Sequence, residues 1–86
     1  MLGLGGDLYC YMSDLHEINY DKDYRIIDCS DNNISNLILK DNLQSLYCYN
    51  NNIKELNLNN NLINLSCDIF VDVNNINSNK LFIFFR

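Results

Sequence analysis

Alanine, threonine, proline and tryptophan are absent from the 86 residues, and histidine occurs once. These absences go with 17 Asn and 10 Ile, the bias expected of an AT-rich coding sequence rather than a mark of function. Basic residues are also few: 6 Lys plus Arg stand against 11 Asp plus Glu, a net charge of -5. Phosphate binding needs a basic surplus, so nucleic acid is not an expected partner. No apolar run approaches the ~20 residues of a membrane span, and residues 1–6 lack the basic flank of a secretory signal. A membrane role is therefore not expected. The length suits one small domain, and 48% hydrophobic residues suffice for a packed core rather than disorder.

What is present is a repeat. The four cysteines stand at 10, 29, 48 and 67, each 19 residues from the next. Shifting the chain by 19 aligns Leu8, Ile27, Leu46 and Leu65, two residues before each Cys. Ser13, Asn32 and Asn51 form a column three residues after it, broken by Phe70. Leu15, Ile34 and Ile53 follow, then Ile18, Leu37 and Leu56. Tyr20, Leu39 and Leu58 align as well, as do Tyr24, Leu43 and Leu62. Asn-rich tracts without order read as prion-like, but here the Asn alternate with apolar columns, which signals stacked structural units.

The unit reads Leu-x-Cys-x-x-Asn-x-Ile-x-x-Leu-x-Leu, clearest in Leu43-Gln-Ser-Leu46-Tyr-Cys48-Tyr-Asn-Asn51-Asn-Ile53 and Leu62-Ile-Asn-Leu65-Ser-Cys67. It resembles the leucine-rich repeat family, whose signature is Leu-x-x-Leu-x-Leu-x-x-Asn/Cys-x-Leu. The unit falls just short of the usual minimum length of that family's repeats. It is most similar to the short bacterial subclass, without the prolines of that subclass. The resemblance implies a mostly β member of the α/β class. The implied fold is a right-handed solenoid with a parallel sheet on its concave face and irregular, 3₁₀ or extended segments on its convex side. A single domain spans residues 1–86, with repeats at about 8–26, 27–45, 46–64 and 65–83. The resemblance also implies that the Asn column bonds backbone groups of neighbouring turns as an internal ladder, a job that Ser13 does at shorter reach and Phe70 cannot do.

Period-two alternation makes Leu46-Tyr-Cys48 a short strand with Leu46 and Cys48 inward and Tyr47 and Tyr49 outward. Strands centred on Tyr9, Asp28, Tyr47 and Ser66 are expected. The ends are the weak point of a solenoid, which exposes its terminal turns unless they are capped. Residues 1–7, rich in glycine, are expected to be flexible. Residues 80–86 read as one further strand that covers the last turn, contacts another chain, or belongs to a longer array.

Eighteen residues between successive cysteines is far from zinc spacing, so inward, reduced thiols acting as small hydrophobes are expected, with no metal and no cofactor. Reduced thiols fit an intracellular, cytoplasmic setting. Some short-repeat bacterial members of the family that the chain resembles carry a separate ligase domain with a Cys-Asp pair. Cys67-Asp68 sits in the inward column instead and reads as structural. His16 and Cys10 are not expected to meet, since His16 falls on a loop and Cys10 points inward. Asp21, Asp23, Asp28 and Asp31 lack the spacing of a calcium loop. Because no acid, base and nucleophile converge, the chain is not expected to be an enzyme.

The positions flanking each Cys hold Tyr9 and Tyr11, Asp28 and Ser30, Tyr47 and Tyr49, Ser66 and Asp68. Tyrosine offers rigid amphipathic contact area, and it also simply suits strands. The expected partner-binding residues are Tyr9, Tyr11, Tyr47 and Tyr49, edged by Asp28, Asp31 and Asp68. The expected partner is a protein or peptide bearing basic or mixed polar groups. The competing reading is a structural solenoid that associates end to end through its terminal strands.

Overall fold

The computed structural model describes residues 6–18, 22–76 and 80–86. Tyr20 and most of the expected glycine-rich lead-in lie outside them. Seven strands follow in chain order: β1 (Asp7–Tyr9), β2 (Ile26–Asp28), β3 (Ser45–Tyr47), β4 (Glu55–Asn57), β5 (Asn64–Cys67), β6 (Asp72–Asn74) and β7 (Phe82–Phe85). They form a five-stranded sheet in the order β1-β2-β3-β5-β7 and a two-stranded sheet of β4 and β6. Every pairing is parallel. The chain is thus a mostly β solenoid of about four turns.

The register follows the repeat columns: Leu8 pairs with Ile27, Ile27 with Leu46, and Leu46 with Leu65. The first three strands centre on these inward residues, one position before the expected centres. They end early because the chain turns soon after each Cys. Met12, Asp31 and Asn50, which recur at the same period, have φ of 53°, 58° and 58°. Asp and Asn tolerate this left-handed conformation, whereas Met gains nothing there to offset its steric cost.

The core lies between the two sheets. Ile27, Leu46 and Leu65 with Cys29, Cys48 and Cys67 face Ile34, Ile53, Leu56 and Leu58 from the opposite side. Stacked turns bury what one turn cannot, so Ile27 and Leu46 reach 0% exposure while Leu8 in the first turn stays half-buried. Cys10 is half-buried for the same reason, so of the four inward thiols only Cys29, Cys48 and Cys67 are buried.

The Asn column forms the ladder expected of it. Asn32 Nδ2 donates to the carbonyls of Cys10, Cys29 and Ser30 at 3.0, 3.0 and 3.1 Å. Its Oδ1 accepts from the amides of Ser13 and Leu15. Asn51 repeats the pattern one turn on, donating to Cys29, Cys48 and Tyr49 and accepting from the Ile34 amide at 2.9 Å. The Ser13 hydroxyl donates to the Tyr11 carbonyl of its own turn, at 3.1 Å. At the corner ahead of β3 and β5, Asn59 Nδ2 donates to the Lys40 and Leu43 carbonyls and Asn61 Nδ2 to that of Asp41.

The far side of the solenoid is extended. No helix occurs among the described residues, so the α part of the expected class is not found there. A turn this short must supply a strand and its corners, which leaves no length for a helix. The fourth turn departs from the period. Glu55 pairs with Asp72 and Asn64 with Phe82, so both pairings fall short of the regular spacing. This slip carries Phe70 out to the surface and puts Val71 into the core.

Candidate binding face of the sheet

Outward positions of the five-stranded sheet form continuous rows because the pairing is in register. One row is Tyr9, Asp28, Tyr47, Ser66 and Phe84, and its neighbour is Asp7, Ile26, Ser45, Asn64 and Phe82. Beyond the cysteines lies a third row of Tyr11, Ser30, Tyr49, Asp68 and Arg86, tied by backbone bonds such as Asp31 N–H to Tyr49 O and Ile69 N–H to Arg86 O. In the first and third of these rows, large side chains stand on the first, third and fifth strands and small or acidic ones between them. Alternate strands lie about 10 Å apart, so the aromatic rings form ridges separated by slots.

Exposure follows that alternation. Tyr9, Tyr11, Tyr47 and Phe84 are 59%, 51%, 37% and 67% exposed. Ser30 and Ser66, expected outward like the tyrosines, are instead buried. Ser66 lies in the register between Tyr47 and Phe84, and its short side chain ends below their level. The Ser30 hydroxyl donates to Asp28 Oδ1 at 2.7 Å.

The tyrosines differ in how free they are. Tyr9 hydroxyl reaches toward Asp7 Oδ2 at 3.4 Å, and the negative charge of Asp7 raises the phenol above its ordinary range. The Arg86 guanidinium lies 4.2 Å from the centroid of the half-buried Tyr49 ring, a cation–π contact. Tyr47 belongs to the central strand of the sheet, flanked in its row by Asp28 and Ser66.

The three carboxylates expected at the edge are engaged within the fold. Asp28 Oδ1 accepts from the amide and hydroxyl of Ser30. Asp31 Oδ1 accepts from Asn50 Nδ2 at 2.6 Å. Asp68 accepts from the amides of Asn50 and Asn51 at 2.7 and 3.1 Å. It thereby carries the ladder into the turn in which Phe70 stands in the Asn column. Sequence reasoning missed this role because Asp68 lies ahead of the column rather than in it.

Burial holds the thiols in their protonated form. Burial raises Cys29 to about 12 and Cys67 to about 11, raises Cys48 further, and raises Cys10 as well. Among the described residues no group of three His, Cys, Asp or Glu side chains is placed to hold a metal. His16 is exposed while Cys10 faces the core. Phe82 and Phe84, which sequence reading placed in a terminal strand but not on the face, extend the aromatic rows. Their signal was present: Ile83 continues the Leu8, Ile27, Leu46, Leu65 column, one position early. Among the described residues no helix is long and apolar enough to cross a membrane. No protein-family model, no curated protein and no solved structure matches this chain.

Proposed function

We propose that the chain is a non-catalytic interaction module of leucine-rich-repeat type, a right-handed solenoid that binds a protein or peptide on the outer face of its five-stranded sheet. The observation that carries this reading is the aromatic row of Tyr9, Tyr47 and Phe84, exposed on alternate strands. Rigid rings with slots between them offer contact area at low entropic cost. Asp28, Asp31 and Asp68 are held by the fold, so their contribution is the negative potential they add to the -5 net charge. That potential favours a partner with basic or mixed polar groups, and tyrosines supply the contact. Free, inward thiols suit an intracellular, cytoplasmic site of action.

The test is selection from displayed peptide libraries of basic, neutral and acidic composition, followed by titration of selected binders. Tyr47→Ala is expected to weaken binding by about 2 kcal/mol, as interface tyrosines do, with little loss of stability. Lys54→Ala, an exposed change directly before β4, is expected to leave binding alone. Added salt is expected to slow association with basic peptides. A binder that ignores Tyr47→Ala and responds to Lys54→Ala would move the binding site off this face.

A further inference from the structure

The two ends of the five-stranded sheet are complementary to each other. In the ladder, each inward residue of one turn faces the next turn with its backbone groups: Cys10 N–H donates to Asp28 O, Cys29 N–H to Tyr47 O, and Cys48 N–H to Ser66 O. At the last junction Phe82 N–H donates to Ile63 O and Arg86 N–H to Cys67 O. The alternation leaves the backbone groups of Ile83 and Phe85 pointing away from β5, and those of Asp7 and Tyr9 pointing away from β2. Among the described residues no strand pairs with these outer edges of β7 and β1.

Continuing the register by one strand would set Leu8 beside Ile83 and Cys10 beside Phe85. These are the members of the two inward columns that remain partly exposed. Ile27, Leu46 and Leu65 are at most 2% exposed and Cys29, Cys48 and Cys67 at most 1%, whereas Leu8, Cys10 and Ile83 are half-buried and Phe85 is 45% exposed. The charges are complementary too. Residues 7–18 carry Asp7, Asp14 and Glu17 with no Lys or Arg, and residues 80–86 carry Lys80 and Arg86 with no acid.

We propose that a second copy of this chain docks its β1 edge against the β7 edge, so that solenoids stack head to tail in one continuous parallel sheet. Tail-to-tail pairing of two β7 edges is disfavoured. It would run the strands antiparallel and bring Lys80 of one copy toward Arg86 of the other, and like charges opposite one another destabilise such a pair. A head-to-tail contact leaves a further edge at each end, so association is open-ended rather than closed. Tyr47, in the middle strand, lies clear of this contact, whereas Tyr9 and Phe84 stand on the two strands that it joins.

Sedimentation velocity over a dilution series of the 86-residue chain reads this directly. The expected result is a mass that rises from 10.1 kDa through the dimer and beyond as concentration increases. Tyr9→Pro removes an outward N–H from the head edge, and Phe85→Pro one from the tail edge. Neither change breaks a bond within the sheet, a position where strands accept proline. Each variant alone is expected to associate roughly tenfold or more weakly than the parent chain. An equimolar mixture has one intact head and one intact tail, and is expected to form a dimer that grows no further. Protection of the Cys29 and Cys48 thiols from a labelling reagent verifies that each variant is folded. The proposal is overturned if the parent chain stays at the monomer mass throughout. It is equally overturned if Tyr9→Pro alone associates as the parent does, or if the two folded variants fail to combine.

Discussion

Asn32 and Asn51 show why a polar residue can be the most demanding position of an apolar repeat. Each side chain is more than nine-tenths buried and satisfies carbonyls of two successive turns together with amides of the earlier one. Replacing Asn51 with Ala would leave the Ile34 amide and the Cys29 and Cys48 carbonyls without the partner they have. At about 1–3 kcal/mol for a buried group left unsatisfied, Asn51→Ala is expected to cost at least about 3 kcal/mol in a denaturant titration. Ser13→Ala, which removes one exposed bond, is expected to cost under about 1 kcal/mol. The cysteines obey a different rule. Folding raises the thiols of Cys29 to about 12 and Cys67 to about 11 above their ordinary range, so the folded state holds protons that the unfolded state releases. Stability is therefore full at neutral pH and falls as pH rises from about 9 through 11 and 12. Its slope approaches roughly 1.4 kcal/mol per pH unit for each buried thiol that titrates only when unfolded. Urea titrations between about pH 8 and 11 are expected to show that fall, and Cys29→Ala is expected to flatten it. The inward cysteines were legible in the sequence because they recur at the repeat period, and the Asn ladder was what the family resemblance implied for a column that recurs with them. The left-handed backbone at Met12, Asp31 and Asn50 was not, because its first member is a residue that gives no conformational signal.

At the scale of one element, the junction between the third and fourth turns shows how the fold absorbs an irregular repeat. Phe70 occupies the position of the Asn column and is exposed, so the ladder has no third Asn rung. The Asp68 carboxylate spans the gap by accepting from the amides of Asn50 and Asn51, and the shortened far side lets Val71 enter the core instead. Hydrogen bonds to a charged acceptor contribute about 1.5–3 kcal/mol, so Asp68→Ala is expected to destabilise the chain by about 2 kcal/mol. Asp68→Asn keeps one oxygen acceptor and is expected to cost less. Thermal unfolding of the two variants measures the difference. If both changes were neutral to stability, Asp68 would be free to serve the binding face rather than the ladder. This junction was only half legible. The break at Phe70 announced that the register loosens. The compensating slip in the Glu55–Asp72 and Asn64–Phe82 pairings depends on which side chains fit the core, and a fixed-period alignment cannot see it. The expected strands at Asp28 and Tyr47 and the continuation at residues 80–86 were found close to their expected places, since alternation of core and surface positions sets strands directly.

For the whole molecule, stability is a sum of turn and interface terms rather than the property of one central core. Middle turns have a neighbour on each side, and end turns have one. Ile27, Leu46 and Cys29 are accordingly sealed, while Leu8, Cys10 and Ile83 are not. The aromatic ridges of the outer face depend on this stack for their spacing, since no ring on the first, third or fifth strand is placed by its own turn alone. Sequence reading identified Tyr9 and Tyr47 from their alternation with inward residues. Phe84 escaped it because a constant period carries the count past its position. A stack with weak ends should open from those ends, so amide exchange is expected to be graded along it. The Cys29 and Cys48 amides, bonded to Tyr47 and Ser66, are expected to exchange slowest. The Cys10 and Arg86 amides, in the terminal turns, are expected to exchange at least roughly tenfold faster, equivalent to an opening cost lower by about 1.4 kcal/mol. Uniform exchange across all four would mean that the chain unfolds as one cooperative block. If copies stack head to tail, the same experiment at higher protein concentration is expected to slow exchange at Cys10 and Arg86 alone, because each terminal turn then gains the neighbour that the middle turns already have.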